Sequence, residues 1–100
     1  MISRRGSRAV LNAGLKELTV EYGMPAIQAP GARVTALSDE HAQVRLAPEP
    51  GNLAVGDKVL LIPAHVDPAV NLYDRLFAWN GTTVTEWDVD GRRRYRLTTP

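Results

Sequence analysis

The residue types most able to do chemistry in this chain gather in one stretch, His65-Val66-Asp67-Pro68-Ala69-Val70-Asn71-Leu72-Tyr73-Asp74. An imidazole and a carboxylate stand two residues apart, after an apolar run and before a proline. In extended backbone, residues i and i+2 point to the same side, so His65 and Asp67 can reach one ion without rearranging the chain. Imidazole plus carboxylate, with no thiolate, suits manganese or magnesium as well as zinc, and two protein ligands leave coordination positions open to water or substrate. The same pair equally describes a histidine oriented by a neighbouring carboxylate at a strand end. Asn71 and Asp74 add polar reach, but both are turn formers that satisfy loop backbone groups.

Composition narrows the alternatives. The sequence has no cysteine, so a disulfide framework and a thiolate zinc site are both excluded, and any metal must take His, Asp, Glu or backbone ligands. Its 100 residues make a single domain, burying roughly two-thirds of the unfolded chain's surface. No segment approaches the ~20 apolar residues of a membrane span. Arg4, Arg5 and Arg8 are followed by no apolar h-region or small-residue cleavage site, so a cytoplasmic protein is expected.

The elements that must position the pair read as strands. Apolar runs are short, and turn residues punctuate them at Gly14, Gly23-Met24-Pro25, Pro30-Gly31, Pro48-Glu49-Pro50-Gly51, Asn80-Gly81 and Asp90-Gly91, a β signature. Strands are predicted over Arg8 to Asn12, Lys16 to Val20, Arg33 to Leu37, Ala42 to Leu46, Lys58 to Ile62, Arg75 to Trp79, Thr82 to Val89 and Arg92 to Leu97. Residues 1–7 read as a flexible arm, and no helix longer than a turn or two is evident. Val59 to Ile62 is apolar without alternation, as in a strand buried on both faces. Pro63 ends it, which puts His65 and Asp67 at its C-terminal rim.

Asn80-Gly81 and Asp90-Gly91 are favoured two-residue hairpin loops. They place Phe77 opposite Val84, Arg75 opposite Glu86, Asp88 opposite Arg93, Trp87 opposite Arg94 and Val84 opposite Leu97. Strand alternation then splits the run Arg92-Arg93-Arg94-Tyr95-Arg96 between two faces. With a formal net charge of only +1, the chain is not expected to bind nucleic acid through that run.

Four blocks, in order, carry a resemblance over nearly the whole chain. They are Asn12-Ala13-Gly14-Leu15-Lys16, Leu37-Ser38-Asp39-Glu40-His41, Val55-Gly56-Asp57-Lys58-Val59 and the run from Ile62 to Asp74. Together they resemble the C-terminal β domain of the D-threonine aldolase and D-serine dehydratase-like family, which is similar to alanine racemases (fold-type III enzymes). The resemblance implies an all-β fold, a distorted β-barrel of about seven or eight strands. It also implies a lyase whose pyridoxal phosphate sits on a lysine of a separate TIM-like barrel, commonly in a dimer. A TIM barrel takes about 250 residues, so this chain holds no such barrel, and Lys16 does not match the cofactor lysine.

In the family, a His-x-Cys or His-x-Asp pair binds a divalent metal beside the cofactor, so the resemblance implies that His65 and Asp67 are the ligands. The implied substrates are small D-hydroxy amino acids, with the cofactor as electron sink and the metal as Lewis acid at the β-hydroxyl. The expected partners are a cofactor-bearing barrel domain or a homo-oligomer, with the chain inactive alone. The competing reading is a stand-alone non-catalytic β-barrel that binds or docks. One residue departs from the family's Asp-Ala-Gly pattern: Asn12 keeps the hydrogen-bonding shape and loses the charge. His41 follows two acids and reads as a solvated or interface histidine, while Tyr22 and Tyr73 are candidates for the cofactor side of a full enzyme or, more commonly for such residues, for core or interface packing.

Overall fold

The computed structural model describes residues 1–48 and 53–91. Strands dominate it: β1 (Ser3–Arg5), β2 (Arg8–Leu11), β3 (Ala26–Ile27), β4 (Ala32–Leu37), β5 (Ala42–Leu46), β6 (Leu61–Ile62), β7 (Arg75–Trp79) and β8 (Val84–Asp88), with one five-residue helix, α1 (Val66–Val70). They form a four-stranded antiparallel sheet in the order β1-β2-β5-β4 and two strand pairs, β3-β6 and β7-β8. Among the described residues no ladder joins these three sheets into the expected closed barrel. No helix among them is long and apolar enough to cross a membrane.

The four-stranded sheet follows from alternation. Along β5, Ala42, Val44 and Leu46 are buried while Gln43 and Arg45 are exposed, the period-2 pattern of a sheet with one wet face. Ala9 and Leu11 of β2 and Val34 of β4 join them in the core, with Met1. Residues 1–7 are therefore not an arm. Met1 is buried, its amine donates to the Asp57 carbonyl at 2.6 Å, and Ser3, Arg4 and Arg5 pair with Val10, Ala9 and Arg8.

Two expected strands are corrected. Lys16–Val20 is a curl, because Leu15 N–H and Lys16 N–H donate to the carbonyls of Ser38 (2.8 Å) and Asp39 (3.0 Å) while Glu17 and Leu18 turn back onto the Gly14 carbonyl. Gly14 makes this possible: a Cβ there would meet Ser38 O at 2.3 Å and His41 N at 2.6 Å, both backbone atoms. Of Lys58–Ile62 only Leu61–Ile62 is a strand, since its partner β3 has just two residues after Pro25. Leu60 and Ile62 are exposed, so this strand is not buried on both faces.

The β7-β8 hairpin forms with its register two residues from the expected one. Arg75 lies opposite Asp88, Phe77 opposite Glu86 and Trp79 opposite Val84. The cause is the Asn80 side chain, whose Oδ1 accepts from Thr82 N–H (2.9 Å) and Thr83 N–H (2.8 Å), converting a two-residue loop into a four-residue one. A shift of two preserves which face each side chain takes, and Arg75 still reaches Glu86 diagonally at 2.6 Å. The expected pairings of Arg93, Arg94 and Leu97, and the strand Arg92 to Leu97, lie outside the described residues.

Candidate metal centre

His65 caps the N-terminus of α1 with extended backbone (φ −135°, ψ 124°), and Asp67 sits in the first turn. The two side chains therefore meet across a helix start and not along an extended strand. A carboxylate in that position is favoured by the unpaired N–H groups of the first turn, and Pro68, still within the first turn, forfeits no intrahelical bond. Beyond Val70 the chain tightens: Leu72 N–H donates to the Ala69 carbonyl and Tyr73 N–H to the Val70 carbonyl, both at 3.1 Å.

His65 Nε2 faces Asp67 Oδ2 at 3.7 Å, with the imidazole half-buried and the carboxylate 89% exposed. Two ligands sharing one ion through bonds of about 2.1 Å stand roughly 3.0–3.4 Å apart, so a small rotation of the exposed carboxylate brings the pair to coordinating distance. The donor chemistry fits a hard or borderline divalent ion. No third His, Cys, Asp or Glu among the described residues completes a cluster with them. His65 Nδ1 is buried without a hydrogen-bond partner among the described residues. Metal-bound imidazoles normally donate that second N–H to an outer carbonyl or carboxylate.

Tyr22 is the neighbour that the sequence does not disclose. Its ring meets the His65 ring edge-on, centroids 4.6 Å apart and planes at 89°. Tyr22 is the one described non-glycine residue with positive φ, at 66°, and Gly23 beside it has φ 124°. This consecutive left-handed pair turns the chain so that the phenol lands on the imidazole. Only a long-range contact reveals it.

The remaining candidates are dispersed. Tyr73 donates its hydroxyl to the Glu17 carbonyl at 2.8 Å, tying the segment after α1 to the 14–18 curl. Its pKa is raised above 10.0, first by burial and then by the Glu17 charge. His41 is exposed and acts through its backbone, its carbonyl accepting from Ser38 N–H at 2.9 Å in the turn that seats Gly14. Asp74 accepts from Val89 N–H at 2.9 Å through its backbone carbonyl, continuing the β7-β8 ladder. Asn71 N–H donates to the Asp67 carbonyl at 3.2 Å. Lys16 pairs with Glu40 at 2.8 Å on the surface, and Asn12 is exposed next to the curl.

This strand-dominated fold with one short helix is that of a known class of domain. The chain belongs to the putative serine dehydratase domain family, whose model matches residues 1–79. It is 41% identical over 87 residues to the D-threonine aldolase of Arthrobacter sp., covering 85% of this chain and 23% of that protein. It is 37% identical over 86 residues to the 3-hydroxy-D-aspartate aldolase of Paracoccus denitrificans, covering 84% and 22%. Among solved structures, D-threonine aldolase from Filomicrobium marinum superposes with a TM-score of 0.80 at 35% identity, over 91% of this chain and 26% of that one. The chain thus spans about a quarter of the length of the relatives it matches.

Proposed function

We propose that this chain is the metal-bearing β domain of a pyridoxal phosphate-dependent lyase acting on small D-β-hydroxy amino acids, and that it is inactive by itself. The observation that carries this reading is the facing of His65 Nε2 and Asp67 Oδ2 at 3.7 Å, in a chain 41% identical to part of a D-threonine aldolase. The complete enzyme requires a cofactor-bearing barrel, in keeping with relatives about four times the length of the match. A dimer of such enzymes is part of the proposal.

In this reading His65 Nε2 and the Asp67 carboxylate hold a divalent ion, manganese, magnesium or zinc. When bound, the ion supplies Lewis acidity at the substrate hydroxyl and the cofactor supplies an electron sink at the α carbon. The chain's own part is positioning. α1 places Asp67 beside His65, the Tyr22 ring abuts the imidazole, and Nδ1, without a partner among the described residues, is left for an outer acceptor.

Calorimetric titration of manganese and of zinc into the chain tests the site. One equivalent should bind, and His65→Ala or Asp67→Ala should abolish the signal while far-ultraviolet circular dichroism stays unchanged. Unaltered binding in both variants would remove the assignment. Supplied with pyridoxal phosphate, manganese and D-threonine, the chain should give no turnover.

A further inference from the structure

The outer face of the four-stranded sheet carries a row of charge that the metal site does not use. The register sets Arg5 opposite Arg8, Arg8 opposite Arg45, and Arg45 opposite Arg33. One arginine from each strand thus stands in a single cross-strand line, on the side away from the core, and all four are exposed. With strands about 4.8 Å apart the row spans about 14 Å.

Like charges directly opposite in a sheet destabilise it. None of the four has an ion-pair partner among the described residues, whereas Lys16 pairs with Glu40 at 2.8 Å and Arg75 with Glu86 at 2.6 Å. The other positions on the same face are neutral: Ser3, Val10, Thr35 and Gln43. A local rule broken this way without internal compensation marks a functional surface more often than a structural one.

Between β2, β5 and β4 the row crosses a shallow hollow of about 380 Å³, lined by Arg8, Val10, Thr35, Gln43 and Arg45. That volume lies at the small end of ligand sites. Guanidinium forks match phosphate oxygens two at a time. A linear anion with a charge on each repeating unit can engage several members of the row, which a single carboxylate cannot. The face has no aromatic side chain on which bases would stack, which argues against single-stranded nucleic acid.

We propose that this hollow is a binding site for a linear oligophosphate. The chain of phosphates lies along Arg8 and Arg45, with Arg5 and Arg33 engaging its ends and Thr35 and Gln43 contributing neutral hydrogen bonds. Its source is either free polyphosphate or the phosphate tail of a nucleotide.

The test is calorimetric titration of sodium tripolyphosphate into the full chain at low and at raised salt. The expected result is one equivalent bound, affinity falling steeply with salt, and a loss of tenfold or more in Arg8→Gln and in Arg45→Gln, with Arg75→Gln unchanged. Because the substitutions relieve like-charge contacts, the variants should melt no lower than the parent by circular dichroism, so a lost signal reports the site and not the fold. ATP binding as tightly as tripolyphosphate assigns the source to a nucleotide, and ATP failing to compete assigns it to free polyphosphate. Absence of binding at low salt, equal loss in Arg75→Gln, or tighter binding of an oligo-aspartate or oligothymidylate of matched charge would overturn the proposal.

Discussion

At the residue scale, two tyrosines make opposite kinds of contribution around α1. Tyr22 meets the His65 ring edge-on at 4.6 Å, a contact worth about 0.5–1.5 kcal/mol when two aromatic rings pack this way. On the proposed metal reading, Tyr22→Ala is therefore expected to weaken manganese binding by about threefold with little change in the thermal melt. Tyr73 works through one hydrogen bond to the Glu17 carbonyl. Its pKa is raised in the folded chain, by burial and then by Glu17, so the folded state keeps this proton where the unfolded state has lost it. Its contribution is complete below the unfolded tyrosine value and disappears as pH climbs through the folded one, so stability falls with rising pH in that alkaline window. Tyr73→Phe should cost about 0.5–1 kcal/mol at neutral pH, the low side of a net hydrogen bond. It should also flatten the alkaline limb of a pH-dependent urea melt.

At the element scale, the turn chemistry decides what the strands can do. Gly14 has backbone atoms where a side chain would begin, and neither Ser38 O nor His41 N can yield without unseating the curl. Gly14→Ala is expected to cost about 3 kcal/mol, measured as a shift in urea midpoint at unchanged slope. Asn80→Ala removes both acceptor contacts of the hairpin loop without favouring the two-residue loop, whose first position Ala fits poorly, and is expected to weaken the cross-strand nuclear Overhauser contact between Trp79 and Val84. These two sites also mark where the sequence stopped being legible. β2, β4 and β5 are readable because alternation is a local signal that the core reinforces, and β7 because its run ends at the Asn80-Gly81 turn. The hairpin register was lost to an Asn side chain that caps its own loop, and the 14–18 curl to carbonyls supplied by a distant turn. The His65 and Asp67 pair was legible as a pair, though a helix start and not an extended strand brings the two together. Tyr22 was invisible as a neighbour of His65, since no local pattern encodes a left-handed turn that delivers a ring across the fold.

At the scale of the whole molecule, apolar side chains are left uncovered on the β7-β8 hairpin, where Phe77, Trp79 and Trp87 are 69%, 71% and 57% exposed. Exposed apolar side chains grouped in this way commonly mark contact surfaces, and the relatives this chain matches are about four times its length. Sedimentation of the chain alone should therefore show concentration-dependent association, reduced in a Phe77→Ser, Trp79→Ser double variant whose stability changes by no more than about 0.5 kcal/mol. The hairpin has one further property. Trp79 and Trp87 are the molecule's only two indoles, and both stand in water outside the buried cluster. Intrinsic fluorescence will consequently be nearly blind to melting of the four-stranded sheet and sharply responsive to anything that covers β7 and β8. A blue shift in emission, with no label attached, is the signal by which a true partner of this domain announces itself.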